Sequence, residues 1–151
     1  MSDFVKASQV YLDVEAKSVD EVLEFLAKKA VELGISDDEA GVLAGLKARE
    51  ADGTTGMMGG FAIPHCKSNV VKGASIVVAK FANDVPWDSM DGQPIKVAVA
   101  LFVPDNKAGT TYLRILSQIA MMLMSEEFRD KLMGSADAAA IAAVINEQIN
   151  V

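Results

Sequence analysis

Ala74 to Phe81 reads ASIVVAKF, and Ile95 to Val103 reads IKVAVALFV. Both runs are short, apolar and rich in β-branched residues, the composition of a strand on a packed, pleated surface. The second is apolar at nearly every position, so it belongs in mid-sheet with both faces covered. Val85 to Pro94, between them, is a turn-rich connection containing Asp91-Gly92. Upstream, Phe61 to Cys66 reads as extended, because Pro64 is hostile to a helix interior and the run is short. Gly53, Gly56, Gly59 and Gly60 make Ala51 to Gly60 a loop. Nearer the N-terminus, Gln9 to Asp13 alternates apolar and polar residues as a short strand does.

Helical patterns fill the remainder. Ser18 and Glu21 have capping-box spacing, Val22, Leu23, Leu26, Ala30 and Val31 form an apolar stripe, and Gly34 ends the helix. Ser36 and Glu39 repeat the cap and start a second helix, to about Glu50, with Val42, Leu43, Leu46 and Arg49 near one face. Thr110 or Thr111 caps a helix to about Met124; shorter helices follow over Glu126 to Met133 and Asp137 to about Gln148. The order βααβββααα, with no repeat and no linker in 151 residues, predicts one α/β domain over 1–151. Its architecture is a single-domain sandwich, a mixed β-sheet with helices packed on both faces.

Composition excludes several kinds of function. Hydrophobic residues are 51% and charged residues 23%, enough apolar material for a full core. The formal net charge of -7 lacks the cationic footprint of a nucleic-acid or anionic-membrane binder. The longest stretch free of charged residues, Gly53 to Cys66, is too short to span a bilayer. One Cys makes no internal disulfide, and no signal peptide is legible, so a reducing cytoplasm is the expected location. His65 and Cys66 are sequence neighbours and the only soft metal ligands of their kinds, so a zinc site built on them is not expected. No phosphate-binding G-x-x-x-x-G-K-[ST] loop occurs.

The chemistry-bearing segment is Arg49-Glu50, then Thr55-Gly56, then Gly60-Phe61-Ala62-Ile63-Pro64-His65-Cys66. It sets a cation at a helix end, a glycine loop, and an imidazole on an extended segment. Alternation puts His65 on the face of Ile63 and Phe61 and turns Cys66 the other way, as a small buried hydrophobe. A histidine titrating near 6.5 is largely neutral at pH 7, so one ring nitrogen is free to attack an electrophile. A nearby arginine pairs well with a phosphoryl group, and glycine loops bring backbone N–H groups to phosphate oxygens. These residues are compatible with a phosphohistidine site, and equally with an ordinary core or surface histidine.

The segment T-G-x-x-x-G-F-A-I-P-H, Thr55 to His65, resembles the active-site segment of enzyme IIA proteins. These belong to the bacterial phosphoenolpyruvate-dependent sugar phosphotransferase system, and the branch is the fructose/mannitol type, a type-2 domain. The chain keeps Arg49, Glu50, Thr55, Gly56, Gly60, Ala62, Ile63, Pro64 and His65 of that pattern and departs at Met58 and Phe61. W-D-S-M-D-G-Q-P (Trp87 to Pro94) and L-x-x-L-S-x-I-A-x-x-L (Leu113 to Leu123) extend the resemblance over nearly the whole chain.

The resemblance implies that His65 takes a phosphoryl group from the small carrier protein HPr. His65 then passes it to a cysteine of enzyme IIB, working with membrane enzyme IIC in uptake of a fructose-like sugar. It implies no metal and no organic cofactor. It assigns Arg49 to charge stabilisation beside the phosphohistidine and so expects the two side chains to meet. Many members carry a second histidine just before a Leu after the third core strand; here Tyr112 precedes Leu113. Tyr112 is either a hydrogen-bond donor to the phosphoryl group or a packing residue against Leu116 and Ile119. Glu50 and Asp52 either pair with Arg49 or hold its orientation, and Trp87 is read as a loop anchor. A regulatory module, like the nitrogen-related enzyme IIA proteins, is the alternative: it keeps the histidine but signals by binding other proteins.

Overall fold

The computed structural model describes residues 5–105 and 110–149. Five strands form one sheet: β1 Val10–Val14, β2 Phe61–Ala62, β3 His65–Ser68, β4 Ser75–Val85 and β5 Ile95–Pro104. Among the described residues five α-helices accompany them: α1 Val19–Glu32, α2 Glu39–Ala51, α3 Thr110–Leu123, α4 Glu126–Gly134 and α5 Ala138–Gln148. The sheet runs β1-β4-β5-β2, and β3 pairs with β5 on the same edge as β2. β4 and β5 are antiparallel; β1 on β4, and β2 and β3 on β5, are parallel, so the sheet is mixed.

Alternation along β4 and β5 divides the interior into two cores. Val77, Ala79, Ala98, Ala100 and Phe102 face Leu23, Leu26, Val42 and Leu46 of α1 and α2. Ile76, Val78, Val97, Val99 and Leu101 face Ile115, Ile119, Leu132, Ile141 and Ile145 of α3, α4 and α5. This two-sided burial is why β5 is apolar throughout, and the expected sandwich with helices on both faces is found.

Several boundaries differ from expectation. α2 is capped by Asp38, whose carboxylate accepts from Gly41 N at 2.9 Å, and not by Ser36. Ser36 is drawn into a bridge with Val71, and its hydroxyl accepts from Asp38 N at 3.0 Å. In α1, Ser18 caps as expected, but Glu21 turns its carboxylate to Lys17 N rather than to the cap residue. β4 continues to Val85, past Phe81, through an irregular register after Lys80. The polar Asn83-Asp84 pair hides that extension. The side chains of Thr110 and Thr111, the expected cap of α3, lie outside the described residues.

The run expected as one extended segment, Phe61 to Cys66, is split. Phe61 and Ala62 pair with Val97 and Ala98, and His65 resumes the pairing opposite Leu101. Between them Ile63 donates its N–H outward to Thr55 O at 3.0 Å, and Pro64 has no N–H to give. Leu101 N still donates to Pro64 O at 2.9 Å, so the interruption stays on the sheet edge, where proline is tolerated. The alternation survives the break. Phe61 and Ile63 enter the second core, while Ala62 and Cys66 enter the first.

Candidate functional site

His65 opens β3 at the sheet edge, and α2 packs across that edge with Arg49 in its last turn. The imidazole is only 6% exposed and is held at both nitrogens. Nδ1 lies 2.9 Å from Ile63 O. A carbonyl only accepts, so Nδ1 carries the ring proton in the neutral tautomer and Nε2 presents its lone pair. Arg49 Nε donates to that lone pair at 2.9 Å, across sixteen positions of sequence, and the guanidinium also donates to Gly53 O at 2.7 Å. The expected meeting of Arg49 and His65 is therefore present.

Burial lowers the His65 pKa from its ordinary 6.5. The Ile63 carbonyl opposes the shift, Arg49 reinforces it, and the Glu50 charge opposes it. The net effect keeps the ring neutral at pH 7, the state in which Nε2 is nucleophilic. Arg49 is poised to exchange Nε2 for the oxygens of an anion arriving at that nitrogen. A charge-assisted hydrogen bond of this type is worth about 1.5–3 kcal/mol.

Tyr112, in the first turn of α3, brings its ring centroid 5.8 Å from that of His65, at an interplanar angle of 47°. It is half-buried and packs against the second core, as does Leu116. Lys67 Nζ lies over the Tyr112 ring, 5.7 Å from its centroid. Cys66 is buried on the opposite side, and burial pushes its thiol up to about 11.

Glu50 forms no ion pair with Arg49 among the described residues, and neither does Asp52. Instead Glu50 accepts from Thr55 N at 2.9 Å, Thr55 Oγ1 at 2.6 Å and Trp87 Nε1 at 3.1 Å. Trp87 is the loop anchor expected of it, and what it anchors is this carboxylate. The 86–94 loop is stitched to the glycine loop at further points. Thr54 Oγ1 donates to Asp88 O at 2.6 Å, and Gly59 N donates to Asp91 at 2.9 Å. Gly56 lies so close to this wall that a Cβ there would meet Asp88 O at 2.1 Å, which explains its glycine. Sequence reasoning missed the Glu50–Thr55–Trp87 cluster because its three members lie in three different segments. Among the described residues, no group of three or more His, Cys, Asp or Glu side chains converges as a metal site. No helix among them is long and apolar enough to cross a membrane.

A sequence model of the family "Phosphoenolpyruvate-dependent sugar phosphotransferase system, EIIA 2" matches residues 3–148. The chain belongs to this enzyme IIA family. Family members act as phosphoryl carriers. The chain is 34% identical over 127 residues to the fructose-specific EIIA component of Haloferax volcanii, covering 84% of this chain and 82% of that one. It is 33% identical over 145 residues to a nitrogen regulatory protein of Bradyrhizobium diazoefficiens, covering 96% and 94%. The crystal structure of the nitrogen regulatory protein IIA-Ntr from Neisseria meningitidis superposes with a TM-score of 0.86 at 31% identity, over 94% of this chain and 96% of that one. As an enzyme IIA domain, the chain thus stands about equally near a sugar-specific and a regulatory branch.

Proposed function

We propose that this enzyme IIA domain carries its phosphoryl group on His65 Nε2, receiving it from phosphorylated HPr and passing it to a cysteine of enzyme IIB. Through enzyme IIC this serves uptake and phosphorylation of a fructose-like sugar. One observation carries the reading: Ile63 O fixes the ring proton at Nδ1 and so directs the lone pair of Nε2 at Arg49. In the loading step, Nε2 attacks phosphorus in line. The N–P bond to His65 forms as the donor's N–P bond breaks, and that electron pair returns to the donor imidazole. Arg49 moves from the lone pair to the phosphoryl oxygens. The Nδ1 proton stays on the ring, so phosphorylated His65 is cationic at the ring and a good leaving group. The Ile63 carbonyl holds that proton in place. Attack by the IIB thiolate returns the N–P electron pair to Nε2 and restores the neutral ring. The protein supplies position and charge, as phosphoryl transfer requires.

Incubation with phosphoenolpyruvate, enzyme I and HPr is expected to add one acid-labile phosphate, and His65→Ala to add none. Labelling of the alanine variant, or labelling at Cys66, overturns the assignment. The second reading is a regulatory enzyme IIA that signals by binding other proteins. It is favoured by the likeness to the Bradyrhizobium and Neisseria nitrogen regulatory proteins. Reconstitution with candidate IIB proteins separates the two, since only the sugar carrier hands its phosphoryl group to a IIB cysteine at a useful rate.

A further inference from the structure

We infer that Glu50 is a positioning residue for transfer at His65, holding both ends of the imidazole through the Thr55 loop and the Trp87 indole. The inference rests on the carrier role proposed above. Glu50 accepts from three donors, Thr55 N, Thr55 Oγ1 and Trp87 Nε1, all of them uncharged. Among the described residues no cation lies within salt-bridge distance to neutralise it. A half-buried carboxylate held by three neutral donors is fixed in place by directional hydrogen bonds rather than by a counter-charge. Its position leads to the ring by two routes. In one, Glu50 holds Thr55; Thr55 O receives Ile63 N at 3.0 Å; and Ile63 O receives His65 Nδ1 at 2.9 Å. In the other, Glu50 is the chain neighbour of Arg49, whose guanidinium meets Nε2. Pinning Glu50 against Trp87 and Thr55 fixes the end of α2 and hence where Arg49 starts. Its charge acts on the ring as well, opposing burial and Arg49. Among the described residues the other charged or titratable groups facing His65 are Arg49 from α2 and Tyr112 from α3, with Lys67 on β3 over the tyrosine ring.

The test uses Glu50→Gln, of nearly the same size, and Trp87→Phe, which puts a smaller aromatic ring in place of the indole and removes the N–H. The glutamine offers an NH2 where one carboxylate oxygen accepted, so at least one of the three donors loses its acceptor. His65 is the only histidine, so its ring signals in a nitrogen-15 NMR titration are unambiguous. In Glu50→Gln the titration midpoint of His65 is expected to fall, because a charge that favours the protonated ring is gone, and the share of the Nδ1–H tautomer to drop. Loading by phosphorylated HPr is expected to slow about 10-fold, with His65 still the labelled residue. Trp87→Phe is expected to slow loading roughly 3-fold with the midpoint in place, since the charge remains. A parental loading rate in Glu50→Gln overturns the inference. So does a slowed rate with the titration and tautomer unchanged, which would make Glu50 a structural residue only. If Glu50→Gln does not fold, a parental rate and tautomer in Trp87→Phe overturn it instead. If the parent protein itself takes no phosphoryl group, the carrier reading fails, and the NMR comparison still decides whether Glu50 holds the ring.

Discussion

In the proposed carrier role the lone pair of His65 Nε2 attacks phosphorus, and in this structure it is already engaged, by Arg49 Nε at 2.9 Å. That contact holds the ring at rest and has to break in the reaction, so the guanidinium must gain as much from phosphoryl oxygens as it gives up at nitrogen. Two phosphate hydrogen bonds in place of one to a neutral nitrogen meet that condition. Tyr112 also lies against this ring, its centroid 5.8 Å from that of His65. Its ring packs into the second core, and its raised pKa, caused by burial and partly offset by Arg49, keeps the hydroxyl protonated and able to donate. Tyr112→Phe preserves the packing and removes only that donor. It is expected to fold normally and to slow phosphoryl transfer by about 3- to 10-fold, the effect of one neutral hydrogen bond of roughly 1 kcal/mol. Stopped-flow or quench measurement of loading by HPr checks this; an unchanged rate makes Tyr112 a packing residue.

The meeting of Arg49 and His65 depends on how closely α2 lies on β3, and Gly45 sets that distance. A Cβ at position 45 would sit 2.5 Å from Cys66 Sγ, well inside van der Waals contact. Gly45→Ala gains helix propensity of about 1 kcal/mol but forces the helix off the strand, and overpacking of this kind costs about 1–3 kcal/mol. It is expected to lower stability in urea unfolding and to slow loading of His65 by displacing Arg49. Adding Cys66→Ala removes the colliding sulfur and is expected to recover most of both losses, a non-additive pair. Equal stability of the single and double variants would show that the helix is not seated on that sulfur. This contact was not legible in the sequence, because Gly45 and Cys66 are 21 positions apart and a helical glycine carries no signal of what it touches. What was legible is local. The apolar runs at Ala74–Phe81 and Ile95–Val103 located β4 and β5, and the run at Phe61–Cys66 located the edge that carries His65. The Ser36 cap failed because a tertiary bridge to Val71 took that residue and left Asp38 to cap. The sequence offers Glu50 as a partner of Arg49 or as a holder of its orientation, but not its donors, which come from a loop and from Trp87.

Across the whole molecule, the perturbed groups predict how stability depends on pH. Burial lowers the pKa of His65 from 6.5 in the folded state. Just below 6.5 the unfolded chain therefore binds the proton first, and stability falls as pH drops from there toward the folded value. Asp91 is lowered from 3.8, chiefly by the Gly59 and Gln93 N–H groups, so its contribution is present above 3.8 and is lost as pH falls through the folded value. At the alkaline end the sign reverses. Burial pushes Cys66 from 9.0 up to about 11, so the folded state holds its proton after the unfolded chain has released it. That contribution is complete below 9.0 and is lost as pH rises toward 11, in total on the order of 2 kcal/mol. Tyr11 and Tyr112, both raised from 10.0 by burial, add to the same limb at higher pH. Stability is thus expected to be greatest between about pH 7 and 9, measured as the urea midpoint against pH. Cys66→Ala should delay the alkaline decline until the tyrosines titrate, and His65→Gln should flatten the limb just below pH 6.5. A parental decline between pH 9 and 10 in Cys66→Ala would show that the thiol is not the group whose burial sets that limb.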